Sequence, residues 1–333
     1  MGKRVLLTGA AGFLGAHVLR RWLDTTDWGF VCPVTFRHKG VPERLTWAVP
    51  ADQWHRVDVV RADLAAPVNA TTAALYGPVD LIVNLAADTH PPRSVHQPVE
   101  FVHNNVDIVL YLLEYARACA EPPLFVQIST DSVYGPALTG QHAEWDPIVP
   151  NNPYSASKAA CEALVIAWWR SYHLPALIAS TMNPTGVTQD CEKFLPMTIR
   201  NVLRGATVTV HADAAGEVGA RTYIHAPDVA DGLAHVLTTQ PVPMHGPYVD
   251  RPARWNIVGR TEVDNLTAAR VIADALGRPL DFEVATVDRP EHGHRYALSG
   301  SRLADAGWSA DPDIESVIAG MARWTQDNPL WLT

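Results

Sequence analysis

A doubly wound α/β fold, a parallel sheet with helices on both faces followed by a smaller C-terminal lobe, is what this 333-residue sequence predicts. Three observations carry that expectation. Strand-length apolar runs alternate with helical patterns through the first half, as a parallel sheet with crossover helices requires. Three glycines, Gly9, Gly12 and Gly15, stand between the first run and the first helical stretch. After about residue 180 the alternation loosens into prolines, histidines and shorter helical pieces.

Taken in order, "RVLLTG" reads as the first buried strand and "GAAGFLG" as a turn into the first helix. Glycines at that point allow a tight turn, close approach of a pyrophosphate and close helix–strand packing, with the helix N-terminus facing the phosphates. The fold expected is therefore the Rossmann type of dinucleotide-binding sheet. Over residues 13–24 the apolar side chains Phe13, Leu14, Val18, Trp22 and Leu23 fall on one helical face. "FVCPVTF" is the second strand. An NAD site normally has an acid at its end, to take the ribose hydroxyls. Here Arg37, His38 and Lys39 follow instead. A cationic cluster suits a 2′-phosphate, so the expected cofactor is NADP, with NAD as the alternative. "VDVVRADL" is read as a third buried strand, with Asp63 at its end placed against the adenine, and "DLIVNLAA" as the fourth. "LFVQIST" ends in two hydroxyls and runs into Asp131 and Ser132. In "NPYSASKAACEALV" Tyr154 and Lys158 are four apart on an amphipathic helix and share a face. An ammonium there favours phenolate, which makes Tyr154 a candidate base toward a sugar hydroxyl. "PALIAST" is the sixth strand.

Composition sets the outer bounds. The chain is 47% hydrophobic and 18% charged, as an ordinary globular protein is. A net charge of −9 without long Lys/Arg runs argues against a nucleic-acid or anionic-membrane partner. No apolar run approaches the roughly 18 residues that span a bilayer. The basic and apolar start has the outline of a signal peptide, but the strand and glycine turn account for the same residues better. Cys32, Cys119, Cys161 and Cys191 are scattered without metal-like spacing, as expected of reduced thiols in a cytoplasmic protein.

"TGAAGFLG", "NLAADTHPPRS", "STDSVYG", "YSASKAA", "EKFLP", "RTYIHAPDVA", "WNIVG" and "DRPEHGHRYAL" together resemble the extended short-chain dehydrogenases/reductases that act on nucleotide sugars. Among these, the chain is most similar to dTDP-glucose 4,6-dehydratases. The resemblance implies a dinucleotide-binding domain over residues 1–180 and a substrate lobe over 181–333, with part of 221–258 returning to the core. It makes Thr130, Tyr154 and Lys158 the catalytic trio. Gly9, Gly12, Phe13, Leu14, Gly15, Arg37, Lys39, Asp63, Leu64, Leu85, Ala86, Ala87 and Asn105 become the expected cofactor contacts, together with Tyr154 and Lys158. For the nucleotide-diphosphate sugar it points to Thr89, Asn183, Lys193, Asn201, Arg221 and Arg289; arginines suit a diphosphate because they bind it bidentately. A homodimer is implied through two helices, roughly 99–120 and 153–173, on which Val109, Leu110, Leu164, Trp168 and Trp169 exceed what the sheet needs.

One position departs from the family's pattern. The dehydratases carry Thr-Asp-Glu after the fifth strand, the aspartate as acid and the glutamate as the base that removes the C5 proton. This chain has Asp131 followed by Ser132. A serine hydroxyl without a partner base does not readily take a carbon-bound proton. The expected reaction is therefore 4-epimerisation through a 4-keto sugar. The alternatives are a 4,6-dehydratase whose base comes from Asp88, His90 or Glu192, a 4-keto-sugar reductase using NADPH, and a catalytically silent dinucleotide-binding protein. Ser132 as a mere cap of the turn is the bland reading.

Overall fold

The computed structural model describes residues 2–37, 39–137, 139–286 and 295–332. Strand β1 (Arg4–Thr8) leads through the glycine turn into α1 (Phe13–Thr25), followed by β2 (Gly29–Val34), α2 (Pro42–Ala48), β3 (Val57–Arg61), α3 (Ala70–Tyr76) and β4 (Leu81–Asn84). Helices α4 (Pro91–His96) and α5 (Pro98–Ala118) precede β5 (Leu124–Thr130), and α6 (Pro153–Tyr172) precedes β6 (Ala176–Thr181). The later chain forms β7 (Pro184–Thr185), α7 (Phe194–Arg204), β8 (Val208–Ala212), β9 (Ala220–Thr222), β10 (Ile224–His225) and α8 (Ala226–Thr239). It closes with β11 (Ala253–Ile257), β12 (Glu262–Asp264), α9 (Asn265–Leu276), β13 (Phe282–Thr286), α10 (Ser301–Asp305) and α11 (Ile314–Asp327).

The central sheet has seven parallel strands in the order β11-β6-β5-β4-β1-β2-β3. Chain order reverses between β1 and β4, so the crossovers leave on opposite faces and a crevice opens at the strand ends, where such sheets bind ligands. Thr8 marks the spot. Its hydroxyl donates to Asn84 Oδ1 at 2.6 Å and accepts from the amides of Leu85 and Ala86, both at 3.1 Å.

Each face of the sheet carries its own core. On one side Val18, Leu19 and Trp22 of α1 pack with Leu45 of α2 and Val229 and Leu233 of α8. On the other lie Tyr76 of α3, Ile108 and Leu112 of α5 and Val165 and Trp169 of α6. A third cluster joins α7, β8, α9 and α11 through Ile199, Val210, Ile272 and Ile318. Although α8 and β11 follow residue 220, they belong to the main sheet and its covering layer.

Two sequence expectations need correction here. Strand β3 is not buried, since Asp58, Val59 and Arg61 are exposed; it is the sheet's edge and has a neighbour on one side only. Val109 and Trp169 cannot form an outward stripe, because they are 1% and 0% exposed. The Trp169 indole N–H donates inward to the Pro243 carbonyl at 2.9 Å. Leu110, Leu164 and Trp168 do remain half-buried.

A buried guanidinium ties the two halves together. Arg44 of α2 donates to the Thr188 carbonyl from two nitrogens, at 3.1 and 3.0 Å, and to the Lys39 carbonyl. It pairs with Asp190 at 2.8 Å and stacks on the Trp331 ring, 5.2 Å from its centre. The segment it grips is conformationally demanding, with Asn183 and Thr188 in left-handed backbone at φ 43° and 64°.

Candidate active site

A cavity of about 1010 Å³ runs along the carboxyl ends of the strands. Gly9, Gly12, Phe13, Leu14, Gly15, Arg37, Lys39, Asp63, Leu64, Leu85, Ala86 and Ala87 line one end of it. Thr130, Asp131, Ser132, Tyr154 and Lys158 line it together with Thr89, Asn183, Lys193 and Arg221. Segments more than 200 residues apart in sequence thus meet around one space.

The glycine end fits a dinucleotide. A Cβ on Gly15 would lie 2.1 Å from the Gly9 carbonyl oxygen, and Gly9 itself needs φ 70°. At the N-terminus of α1 Gly12 offers no side-chain cap and the first turn holds no acid, so its amides face the cavity as an anion site. Phe13 and Leu14, which share a helical face with Val18 and Trp22 and are also expected cofactor contacts, are half-buried and line this cavity, while Leu14 packs as well on the core beneath α1. Arg37 and Lys39, beyond β2, have acidic neighbours: Arg37 pairs with Asp63 at 2.6 Å, and Lys39 lies 3.9 Å from Asp190.

The other end, which holds the expected catalytic residues, is built from the tip of β5 and the first turns of α6. Asn152 caps α6 by accepting from the Ser155 amide at 2.9 Å, and Pro153 sits in the first turn, so Tyr154 begins the helix. The Tyr154 amide donates to Ser94 Oγ at 3.1 Å and its carbonyl accepts from Ser157 Oγ at 2.7 Å. One turn on, Lys158 Nζ donates to the Ile128 carbonyl at 2.7 Å. Thr130 Oγ1 donates to Asp131 Oδ1 at 2.8 Å. It is Thr130, not Ser132, that caps the short turn over Asp131–Tyr134, accepting from the Ser132 amide. Ser132 Oγ is left at 3.3 Å from Thr130 Oγ1, facing the cavity.

Burial governs the ionisation of this group. It pushes the Tyr154 phenol well above its ordinary range, while a hydrogen bond with Thr130 works the other way. It lowers Lys158, opposed by Cys161 and Glu162. It raises Asp131 above the usual carboxylate range, against the pull of Thr130 and Arg221. Lys158 lies one turn beyond Tyr154 on the same face of α6.

Two expected contacts fall elsewhere. Asn105 does not line the cavity; it is 1% exposed and acts as a brace. Its side chain accepts from the Asp88 amide at 2.8 Å and donates to the Asp88 carbonyl and to Ser157 Oγ, at 3.1 and 2.9 Å. Asn201 sits near the far end of α7, while Lys193, Phe194 and Met197 at its start face the cavity; Asn201 Nδ2 donates instead to the Thr207 carbonyl at 3.3 Å. Arg289 lies outside the described residues. Lys193 Nζ donates to the Thr89 carbonyl at 3.1 Å, and Asn183 Nδ2 to the Thr222 carbonyl at 3.2 Å. No local pattern in the sequence singles out Ser94, Arg44 or the Glu162–Arg254 pair below the site. All three candidate substitutes for a C5 base, Asp88, His90 and Glu192, do line the cavity.

Among the described residues no cluster of His, Cys, Asp and Glu has the makings of a metal site, and no helix is long and apolar enough to cross a membrane. Residues 5–248 match the model of the NAD dependent epimerase/dehydratase family. A dTDP-glucose 4,6-dehydratase of Streptomyces antibioticus is 34% identical over 98% of this chain and 93% of its own length. The solved structure of DesIV, a dTDP-glucose 4,6-dehydratase of Streptomyces venezuelae with NAD bound, superposes with a TM-score of 0.85 at 28% identity, covering 99% of this chain and 100% of that one. A UDP-glucose 4-epimerase of Thermus thermophilus in complex with NAD gives 0.82 at 26% identity, over 96% and 99%.

Proposed function

The chain belongs to the NAD dependent epimerase/dehydratase family of enzymes, and from that premise we propose that it is a nucleotide-sugar 4-epimerase. The observation that carries this reading is Ser132. Its hydroxyl faces the cavity beside Thr130, at a place where removal of a C5 proton would need a carboxylate. Epimerisation at C4 makes no such demand.

A bound nicotinamide supplies the acceptor and donor of hydride. Tyr154 takes the proton of the sugar 4-hydroxyl as C4 is oxidised, and returns it after the 4-keto sugar has presented its other face. The Thr130 hydroxyl, hydrogen-bonded to the phenol, stabilises the phenolate meanwhile, and the Lys158 ammonium, on the same face of α6, is proposed to assist it. Arg221 and Lys193 line the part of the cavity where a diphosphate is to be held. NADP is the proposed dinucleotide, because no acid follows β2 and Arg37 and Lys39 line the cavity there. Calorimetric titration with each dinucleotide checks this, and tighter binding of NAD overturns it. A homodimer through α5 and α6, in the cytoplasm, completes the reading.

The deciding experiment incubates the enzyme with dTDP-glucose, UDP-glucose and UDP-N-acetylglucosamine in deuterated water. An epimerase gives a product without deuterium at C5 and without loss of water. Tyr154→Phe, the control, lowers turnover by about 10²–10⁴ if the phenol is the base. Deuterium at C5 together with loss of water overturns the epimerase in favour of a 4,6-dehydratase. That second reading has its own support, since Asp131, with its raised pKa, suits proton donation to a leaving hydroxyl, and Asp88, His90 and Glu192 are near at hand.

A further inference from the structure

Beneath the catalytic turn lies an ion pair that the chemistry above does not use. Glu162, one turn beyond Lys158 on α6, is 0% exposed, and Arg254 on β11 is 1% exposed, with Nη2 and Oε2 2.7 Å apart. The other carboxylate oxygen accepts from the Ser129 hydroxyl. Arg254 also stacks beneath the rings of Tyr134 and Trp145, at 4.9 and 5.1 Å. Desolvation makes such a pair no better for stability than two well-packed apolar side chains. Its placement is what distinguishes it.

Three successive residues at the end of β5 each reach a different part of the site. The Ile128 carbonyl receives Lys158, the Ser129 hydroxyl is held by Glu162, and the Thr130 hydroxyl meets Asp131 and Tyr154. Fixing Ser129 therefore fixes the residues on either side of it. Arg254, through Tyr134, supports the turn that follows. The same carboxylate is the anion one helical turn from the Lys158 ammonium. Arg254 cannot shed its proton, so it keeps Glu162 ionised although burial pushes that carboxyl upward.

We propose that Glu162, anchored by Arg254, is a positioning residue that keeps Lys158 charged and holds the Ser129–Thr130 tip of β5 where hydride transfer needs it. The proposal rests on the functional reading above but is testable apart from it. The titratable groups around Lys158 are Tyr154, Cys161 and Glu162 on its own helix, Asp131, Tyr134 and Glu144 beyond β5, and Arg254 on β11; α5 contributes the neutral Asn105. Of these, the Cys161 thiol and then the Glu162 carboxylate raise Lys158 against the lowering effect of burial.

The chain has four lysines, Lys3, Lys39, Lys158 and Lys193, so lysine labelled with ¹³C at Cε gives a spectrum simple enough to titrate. The Lys158 signal is assigned by its loss in Lys158→Arg. In the dinucleotide-loaded protein, Glu162→Gln is expected to lower the midpoint of Lys158 deprotonation by about one pH unit or more, the size of shift that an adjacent charge produces. Glu162→Asp, which keeps the charge, restores most of it. With dTDP-glucose, UDP-glucose or UDP-N-acetylglucosamine as probe, Glu162→Gln lowers kcat by about ten-fold or more, leaves KM near its wild-type value, and moves the alkaline limb of the pH profile to lower pH. If Glu162→Gln does not fold, the apolar pair Glu162→Met with Arg254→Met replaces it and is expected to show a smaller but measurable lowering, because the Arg254 cation leaves with the anion. A Lys158 midpoint unchanged in the variant that folds overturns the proposal, as does an unchanged kcat and pH profile. A wild-type enzyme inert toward all three sugars counts against the functional reading alone, because the lysine titration is independent of substrate.

Discussion

His17 shows how one buried side chain sets a condition on the whole. It lies on α1 with its Nε2 2.9 Å from the Val187 carbonyl and its ring against Phe13 and Trp47. Burial, above all, lowers its pKa from 6.5 to about 3. The unfolded chain therefore binds a proton below pH 6.5 that the folded chain refuses until about pH 3, so stability is full above 6.5 and falls as pH drops through that window. His225, also lowered by burial, acts in the same sense. Linkage puts the His17 share at about 2 kcal/mol by about pH 5. His17→Gln, which cannot titrate, is expected to lessen the loss of stability between about pH 7 and about pH 5 by that amount, measured by urea unfolding. An acid limb as steep as that of the wild type would assign the sensitivity to other groups.

At the level of elements, α5 and α6 pack against each other over the sheet and still leave apolar side chains outward. Val99 and Val102 are exposed, and Val106, Leu110, Tyr111 and Leu164 are half-buried, while Ala156, Ala163 and Ala167 lie open on α6. A second copy of the same helix pair would cover them. If the proposed dimer forms through these helices, Leu110→Lys with Leu164→Lys is expected to reduce the sedimenting mass to that of one chain without loss of helical signal; an unchanged mass would count against a dimer at this face. Much of this level was legible beforehand. The helices expected at 99–120 and 153–173 are found at Pro98–Ala118 and Pro153–Tyr172, because proline caps and long apolar patterns are local signals. Periodicity could not say which apolar residues face the sheet and which face outward, and so Trp169 and Val109 were misplaced. The edge position of β3 was hidden for a related reason: strand order is a property of the assembled sheet. Likewise the glycine loop and Tyr154–Lys158 announce themselves by spacing, whereas Glu162 and Arg254 are 92 positions apart and only the fold brings them together.

For the molecule as a whole, the cavity depends on two bodies of structure, the glycine end of the sheet and the cluster built by α7, β8, α9 and α11, joined by the segment 183–193. Arg44 holds that segment to the loop bearing Lys39, and Trp331 covers the guanidinium. Asp190, which Arg44 grips, lies three residues before Lys193 on the way into α7, and the Lys193 amide donates to the Asp190 carbonyl at 3.1 Å. One planar cation thus stands on a short route between the residues proposed to hold the two ligands, alongside the direct Lys39–Asp190 and Lys193–Thr89 contacts. In the language of linkage, if the chain binds a nucleotide diphosphate as proposed, whatever dinucleotide binding does to that affinity must be returned as the same factor in the reverse direction, and Arg44 is one carrier of that factor. Measured by calorimetry with dTDP and the dinucleotide, singly and together, the cooperativity is expected to fall toward unity in Arg44→Met and in Trp331→Ala, even where each separate affinity survives. Equal cooperativity in both variants and the wild type would show that the two ligands communicate by another path.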